Sequence, residues 1–222
     1  MIVGERKPLE EIIESLEGAE KVLVAGCGTC VAICMAGGEK EVGMLASELK
    51  MAAKLRDMKI EVSEATAQRQ CDKEYLDTLK DDVKGKDVVI SMACGIGVQY
   101  MALNYEPMRV VPAVNTDFLG ANLDVGEWAE YCQSCGDCVL ADTGGVCPIA
   151  RCSKSLLNGP CGGSADGKCE IDPETECAWQ LIYDRMKALG RLEKLTEIRP
   201  PRSWKTSRDG GPRRLVREDQ KA

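Results

Sequence analysis

Hydrophobic and polar positions in the first half of the chain follow two alternating rhythms. Leu9, Ile12, Ile13 and Leu16 recur at helical spacing after Pro8, and KVLVAG at 21–26 is a short unbroken apolar run. The first pattern predicts an amphipathic helix and the second a buried strand. The pair then repeats. Val42, Leu45, Leu49, Ala52 and Leu55 share a helical face ahead of KIEVSE at 59–64, and residues 72–82 read as helix again. DVVISMA at 87–93 reads as a third strand, IGVQYMALNY as a short helix and RVVPAV at 109–114 as a fourth strand. Helices alternating with continuously apolar strands imply βαβ crossovers. Residues 1–124 are therefore expected to form a small Rossmann-like α/β domain, its parallel sheet covered on both faces.

Beyond Trp128 the periodicity fades. Residues 131–177 hold eight of the 13 cysteines among many Gly, Asp and Ser, a composition too poor in apolar surface for an ordinary core. Small cysteine-rich segments of this kind fold around bound metal. Residues 125–198 are accordingly expected to be a metal-folded, ferredoxin-like module closed by a helix over 178–197, with Leu181, Ile182, Met186, Leu189 and Leu192 on it. Residues 199–222 carry no element-forming pattern and are expected to be an extended tail, either disordered or laid over a partner.

Composition narrows the chemistry. The chain opens MIVGERKPLEE, without an apolar signal core, and has no run of about 18 apolar residues. A cytoplasmic protein with no membrane span is expected. Reducing cytosolic thiols disfavour disulfides, and an odd number of cysteines cannot pair completely, so metal binding is the better account of them. There is no histidine. That removes both the imidazole ligand and the usual neutral-pH general base, leaving thiolate chemistry. The net charge of −7 is uneven, because residues 199–222 hold eight Lys and Arg against three Asp and Glu. An acidic body argues against nucleic acid as the partner. The 36 Asp and Glu read as a solvated face, with no nucleophile–base pair and no catalytic residue among them. Trp128, Trp179 and Trp204 read as packing or interface anchors, Trp204 against another chain.

The cysteines fall into two constellations. Cys27, Cys30 and Cys34 follow the first predicted strand, Cys71 the second and Cys94 the third. Carboxyl ends of parallel strands share one edge, where ligands bind. Cys27, Cys30, Cys71 and Cys94 would thus supply four thiolates to one 4Fe-4S cluster, with Cys34 as the alternate. GCGTCVA at 26–32 begins like a dinucleotide fingerprint, but Val31 stands where the third glycine belongs.

The second constellation is Cys132-x2-Cys135-x2-Cys138-x8-Cys147-Pro148, close to the bacterial ferredoxin run, which has three residues before its last Cys-Pro. With Cys152, Cys161, Cys169 and Cys177 it provides eight thiolates, enough for two further 4Fe-4S clusters. Spacing does not divide these eight between clusters. All-cysteine zinc sites, at one or both positions, are the competing reading and would make the chain a zinc-stabilised scaffold or recruitment subunit.

CQSCGDCVLADTGGVCPIARCSKSLLNGPCGG, KCEID, CAWQLIYDRM and the tail's GGPRRL, together with VAGCGTCVAICMAGGEKEV at 24–42, resemble the methylenetetrahydrofolate reductase C-terminal domain family. The likeness extends over nearly the whole chain, as in the iron–sulfur small subunits of acetogens and related anaerobes. It implies an accessory subunit of one-carbon metabolism in the Wood–Ljungdahl pathway. The implied partners are a flavin-containing TIM-barrel reductase subunit and an electron donor such as ferredoxin or another redox subunit. The implied reaction converts 5,10-methylene- to 5-methyl-tetrahydrofolate, with catalysis in the partner.

Overall fold

A computed structural model describes residues 1–221, which divide into two compact units, Met1–Ala129 and the remainder from Glu130. In the first unit the chain runs β1 (Ile2–Arg6), α1 (Leu9–Glu14), β2 (Lys21–Cys27), α2 (Cys30–Ile33), α3 (Glu39–Leu55) and β3 (Glu61–Ala67). It continues through α4 (Lys73–Leu76), α5 (Lys80–Val83), β4 (Val88–Ser91), α6 (Gly95–Asn104), β5 (Val110–Pro112), β6 (Val114–Asp124) and β7 (Glu127–Cys132).

The predicted parallel sheet is present, with strand order β3-β2-β4-β5 and Val24 of β2 registered between Glu64 and Ile90. Its central strands are apolar on both sides because both faces are covered. On β2, Val22 and Val24 join Ile12, Leu45 and Leu49 from α1 and α3. Leu23 and Ala25 point the other way, into a second cluster with Leu76, Leu79, Val83 and Met101. The chain leaves β2 for β3 on one side and returns to β4 on the other. The β2–β4 pair is therefore the topological switch point, where an open parallel sheet presents its crevice.

A second sheet, antiparallel and ordered β1-β6-β7, is not anticipated by the hydrophobic pattern. Most of β6 is exposed or half-exposed, so its residues lack the apolar run that marks a buried strand. Two features fix this sheet. Val125 and Gly126 close the β6–β7 hairpin with Gly126 at φ +82°. At Gly4 a Cβ would lie 2.5 Å from the Asn115 carbonyl oxygen, so only glycine allows this approach of β1 to β6.

The second unit holds two helices, α7 (Pro148–Arg151) and α8 (Ala178–Ala188), and two isolated bridges, Ala165 to Lys168 and Lys168 to Glu176. Its buried apolar residues are few: Pro148, Ile149, Cys177, Ala178, Ile182 and Met186. The helix expected over 178–197 stops at Ala188, because Gly190 turns left-handed (φ +65°) and Arg191 N–H returns to the Met186 carbonyl. Leu192–Thr196 continues as a 3-10 turn.

The tail differs from the expectation of a segment that is disordered or laid over a partner. Residues 199–213 lie along the chain's own cysteine loop. Arg213 Nη1 donates to the Ser134 carbonyl (2.6 Å), Thr206 Oγ1 to the Cys135 carbonyl (3.1 Å) and Arg202 Nη2 to the Asp137 carbonyl (3.0 Å). Arg199 pairs with Asp142. No helix among the described residues is long and apolar enough to cross a membrane.

Candidate functional site

At the switch point of the first unit, β2 ends at buried Cys27, and Cys94 stands just after β4 as the residue preceding α6. Cys71 lies in the loop leaving β3. The residue is exposed as a whole. Protein around its sulfur and then the nearby Cys27 and Cys94 thiols nonetheless push its pKa up. Cys27, Cys71 and Cys94, distant in sequence, therefore stand within electrostatic reach of one another. Cys30 opens the single-turn helix α2 and is half-buried.

Cys34 behaves differently. Its buried thiol donates to the Gly4 carbonyl (3.4 Å) and the Val31 carbonyl (3.6 Å), and burial pushes its pKa up. A thiol held protonated in the core and bonded to carbonyl oxygens is a packing group, not a poised ligand.

Two polar residues that hydrophobic pattern and motif spacing pass over fix this edge. Gln70 is fully buried. Its Nε2 donates to the carbonyls of Ala25 and Gly26, both at 2.9 Å, and its Oε1 accepts from Ser91 Oγ at 2.7 Å. Gln70 thus ties the loop carrying Cys71 to the ends of β2 and β4. The one sequence signal was Ser91, a hydroxyl inside the apolar run VVISMA. Close packing completes the edge. A Cβ at Gly26 would lie 2.6 Å from both Thr66 Oγ1 and Val42 Cγ2, and one at Gly37 would overlap the Met92 carbonyl. Gly26 therefore serves helix–strand packing, although it begins the fingerprint-like motif.

Cys132 ends β7, and Cys135 and Cys138 lie on the loop that follows, bent by left-handed Ser134 (φ +51°) and Gly136 (φ +80°). Ser134 N–H donates to Cys132 Sγ (3.3 Å), while Cys135 Sγ donates to the Asp137 carbonyl (3.5 Å). At Gly136 the Thr206 backbone comes so close that a Cβ would meet its oxygen at 2.3 Å. Cys147 and Cys152 bracket the single turn of α7.

The remaining cysteines come together. Cys152, Cys161, Cys169 and Cys177 all line one small cavity of about 20 Å³, together with Arg151, Lys154, Glu170 and Glu176. Lys154 pairs with Glu170, and Arg151 lies 3.9 Å from Glu176. Ser153 Oγ lies 3.5 Å from Cys169 Sγ. That hydroxyl contact, with support from the backbone at Ile171 and Asp172, holds the Cys169 pKa below the ordinary thiol value. Cysteines spread over 26 positions of sequence thus share one void, and Cys147 is not among them.

Four thiolates are the ligand set of a 4Fe-4S cluster and of an all-cysteine zinc site alike. Among the described residues no three Cys, Asp or Glu side chains converge closely enough to hold a single ion.

Residues 111–205, from within β5 to the 3-10 turn at Trp204–Thr206, match the family model described as methylene-tetrahydrofolate reductase C terminal. Neither the curated proteins nor the solved structures contain a match to the chain.

Proposed function

We propose, from the match of residues 111–205 to the methylene-tetrahydrofolate reductase C-terminal family model, that the chain is the iron–sulfur electron-transfer subunit of a methylenetetrahydrofolate reductase complex. It receives electrons from a donor such as ferredoxin or another redox subunit. It passes them to a flavin-containing TIM-barrel partner that reduces 5,10-methylene- to 5-methyl-tetrahydrofolate. The observation that carries this reading is the single cavity lined by Cys152, Cys161, Cys169 and Cys177, in a unit with few buried apolar residues. Four thiols are the ligand set of a 4Fe-4S cluster, and bound metal would provide the folding free energy that so small a core lacks.

Cys132, Cys135, Cys138 and Cys147 form the second set in this unit, and Cys27, Cys30, Cys71 and Cys94 the third. When bound, such clusters supply one-electron transfer without proton chemistry. The chain's own residues set their surroundings. Cys94 sits at the N-terminal end of α6. Gln70 and Ser91 hold the Cys71 loop against β2 and β4. The Ser153 hydroxyl stabilises the Cys169 thiolate. Cys34 stays outside the ligand set.

Anaerobic purification followed by metal analysis and electron paramagnetic resonance tests the proposal. The expected result is about 8–12 iron per chain and a reducible chromophore near about 400 nm. Less than about one iron per chain, or about two zinc and no reducible chromophore, would select the zinc-stabilised scaffold instead.

A further inference from the structure

The second unit contains another cavity, much larger than the one between the cysteines. It measures about 1060 Å³ and runs between α8 and the segment 194–204, with Trp179, Tyr183 and Trp204 among its walls. That exceeds the volume a small organic ligand occupies. Arg202 lines it and is the unusual member. Only 8% of the Arg202 side chain is exposed, yet Nε and Nη1 have no hydrogen-bond partner.

The remaining contacts of this guanidinium are limited. Nη2 donates to the Asp137 carbonyl at 3.0 Å, the Asp137 carboxylate lies 3.9 Å away, and the guanidinium carbon stacks 4.5 Å from the centre of the Trp204 ring. The other charges on the cavity wall are already matched, Arg199 with Asp142 and Lys194 with Glu197. A buried cation with most of its N–H donors unmatched is costly. An oxyanion is the group that a guanidinium satisfies best, through parallel charge-assisted bonds. The aromatic and proline walls call for a flat apolar body behind that anion.

We propose that this cavity binds a small organic anion, a carboxylate or phosphate ester carried on an aromatic or similarly flat body, with Arg202 holding the oxyanion and Trp204 stacked beside it. The site lies beside the cysteine constellations: of the thirteen cysteines only Cys138 lines it.

Isothermal titration calorimetry on the anaerobically purified full chain tests this with 2-naphthoate, 2-naphthyl phosphate, neutral 2-naphthalenemethanol and inorganic phosphate as probes. Both naphthyl anions are expected to bind saturably at one per chain, and the neutral alcohol at least about tenfold more weakly, since it forfeits a charge-assisted bond. The better of the two anions identifies the headgroup. Arg202→Gln is expected to weaken both anions to the level of the alcohol, compared on samples matched for iron content and circular dichroism. Quenching of tryptophan fluorescence, from Trp179 and Trp204 on the wall, gives a second readout. If Arg202→Gln does not fold, the comparison of anion with alcohol on the unaltered chain decides alone. Equal binding of alcohol and anions, no saturable binding of either anion, or inorganic phosphate binding as tightly as the naphthyl ester would each overturn the proposal. Because iron content is measured on the same samples, a failure here is separable from a failure of the electron-transfer reading.

Discussion

The Ser91 hydroxyl donates a 2.7 Å hydrogen bond to the Gln70 amide oxygen inside the first unit, and both side chains are fully buried. Gln70 donates its amide protons to the Ala25 and Gly26 carbonyls, so one residue links the loop after β3 to the ends of β2 and β4. Gln70→Leu keeps the volume and removes all three bonds. Leaving buried polar groups unmatched costs about 1–3 kcal/mol each, so a loss of about 3 kcal/mol is expected. Thermal denaturation followed anaerobically should then show a midpoint lower by about 6–12 °C. Ser91→Ala should cost less, and the double variant less than the sum of the two, since they share one bond. An unshifted midpoint for Gln70→Leu would remove this network from the account of the edge.

Asp87 gives a pH test of the same sheet. Its carboxylate accepts from the backbone N–H groups of Lys21 (2.6 Å) and Glu20 (2.9 Å), and these bonds hold its pKa below the ordinary 3.8. A carboxyl whose pKa is lowered by folding adds stability above its unfolded value, and that contribution disappears as pH falls through the folded value. Asp87→Asn should therefore be less stable than the parent at pH 7, and the gap should close as pH falls below about 3.8. Chemical denaturation at a series of pH values measures it. A gap that stays constant down to the acid limit would mean that Asp87 acts through shape and not charge.

The parallel sheet was legible because β2 and β4 are apolar runs and helical periods separate the strands, and Cys27, Cys71 and Cys94 could be placed on one edge by the rule for strand ends. β1 and β6 were not legible, since their pairing relies on a close approach at Gly4 and on half-exposed residues that leave no hydrophobic signature. The eight later cysteines were visible as ligand candidates, but not their grouping. Cys152, Cys161, Cys169 and Cys177 are brought together by loop geometry, including left-handed Ser155, Asp166 and Gly167, and periodicity carries no information about that. Arg202 looked like one basic residue of a loose tail. Its burial depends on the loop at Asp137 and on the Trp204 ring, neither of which is local in pattern.

The tail's contacts with residues 134–137 predict a role in protecting metal. Arg213 Nη1 bonds both the Ser134 and Thr206 carbonyls, and Thr206 in turn bonds the Cys135 carbonyl. If the loop holds the proposed cluster, removing residues 199–222 should free Cys132–Cys138 and speed the loss of iron in air by several-fold, read as bleaching near about 400 nm. Arg213→Ala alone should show a smaller effect in the same direction. Bleaching at the parent rate would assign these contacts no part in holding the loop.

The grouping of thiolates predicts a pattern of non-additive losses. If Cys152, Cys161, Cys169 and Cys177 serve one cluster, Cys161→Ala should remove about four iron per chain, and adding Cys177→Ala should remove no more. Combining Cys161→Ala with Cys135→Ala should instead remove about eight, because the second change empties a different site. Cys34→Ala should leave iron unchanged, since its thiol is bonded to the Gly4 carbonyl in the core. Iron analysis reads all four variants, with circular dichroism to follow the second unit, whose buried apolar residues are few. Losses of about eight iron for Cys161→Ala with Cys177→Ala would place these two residues on separate clusters and refute the grouping.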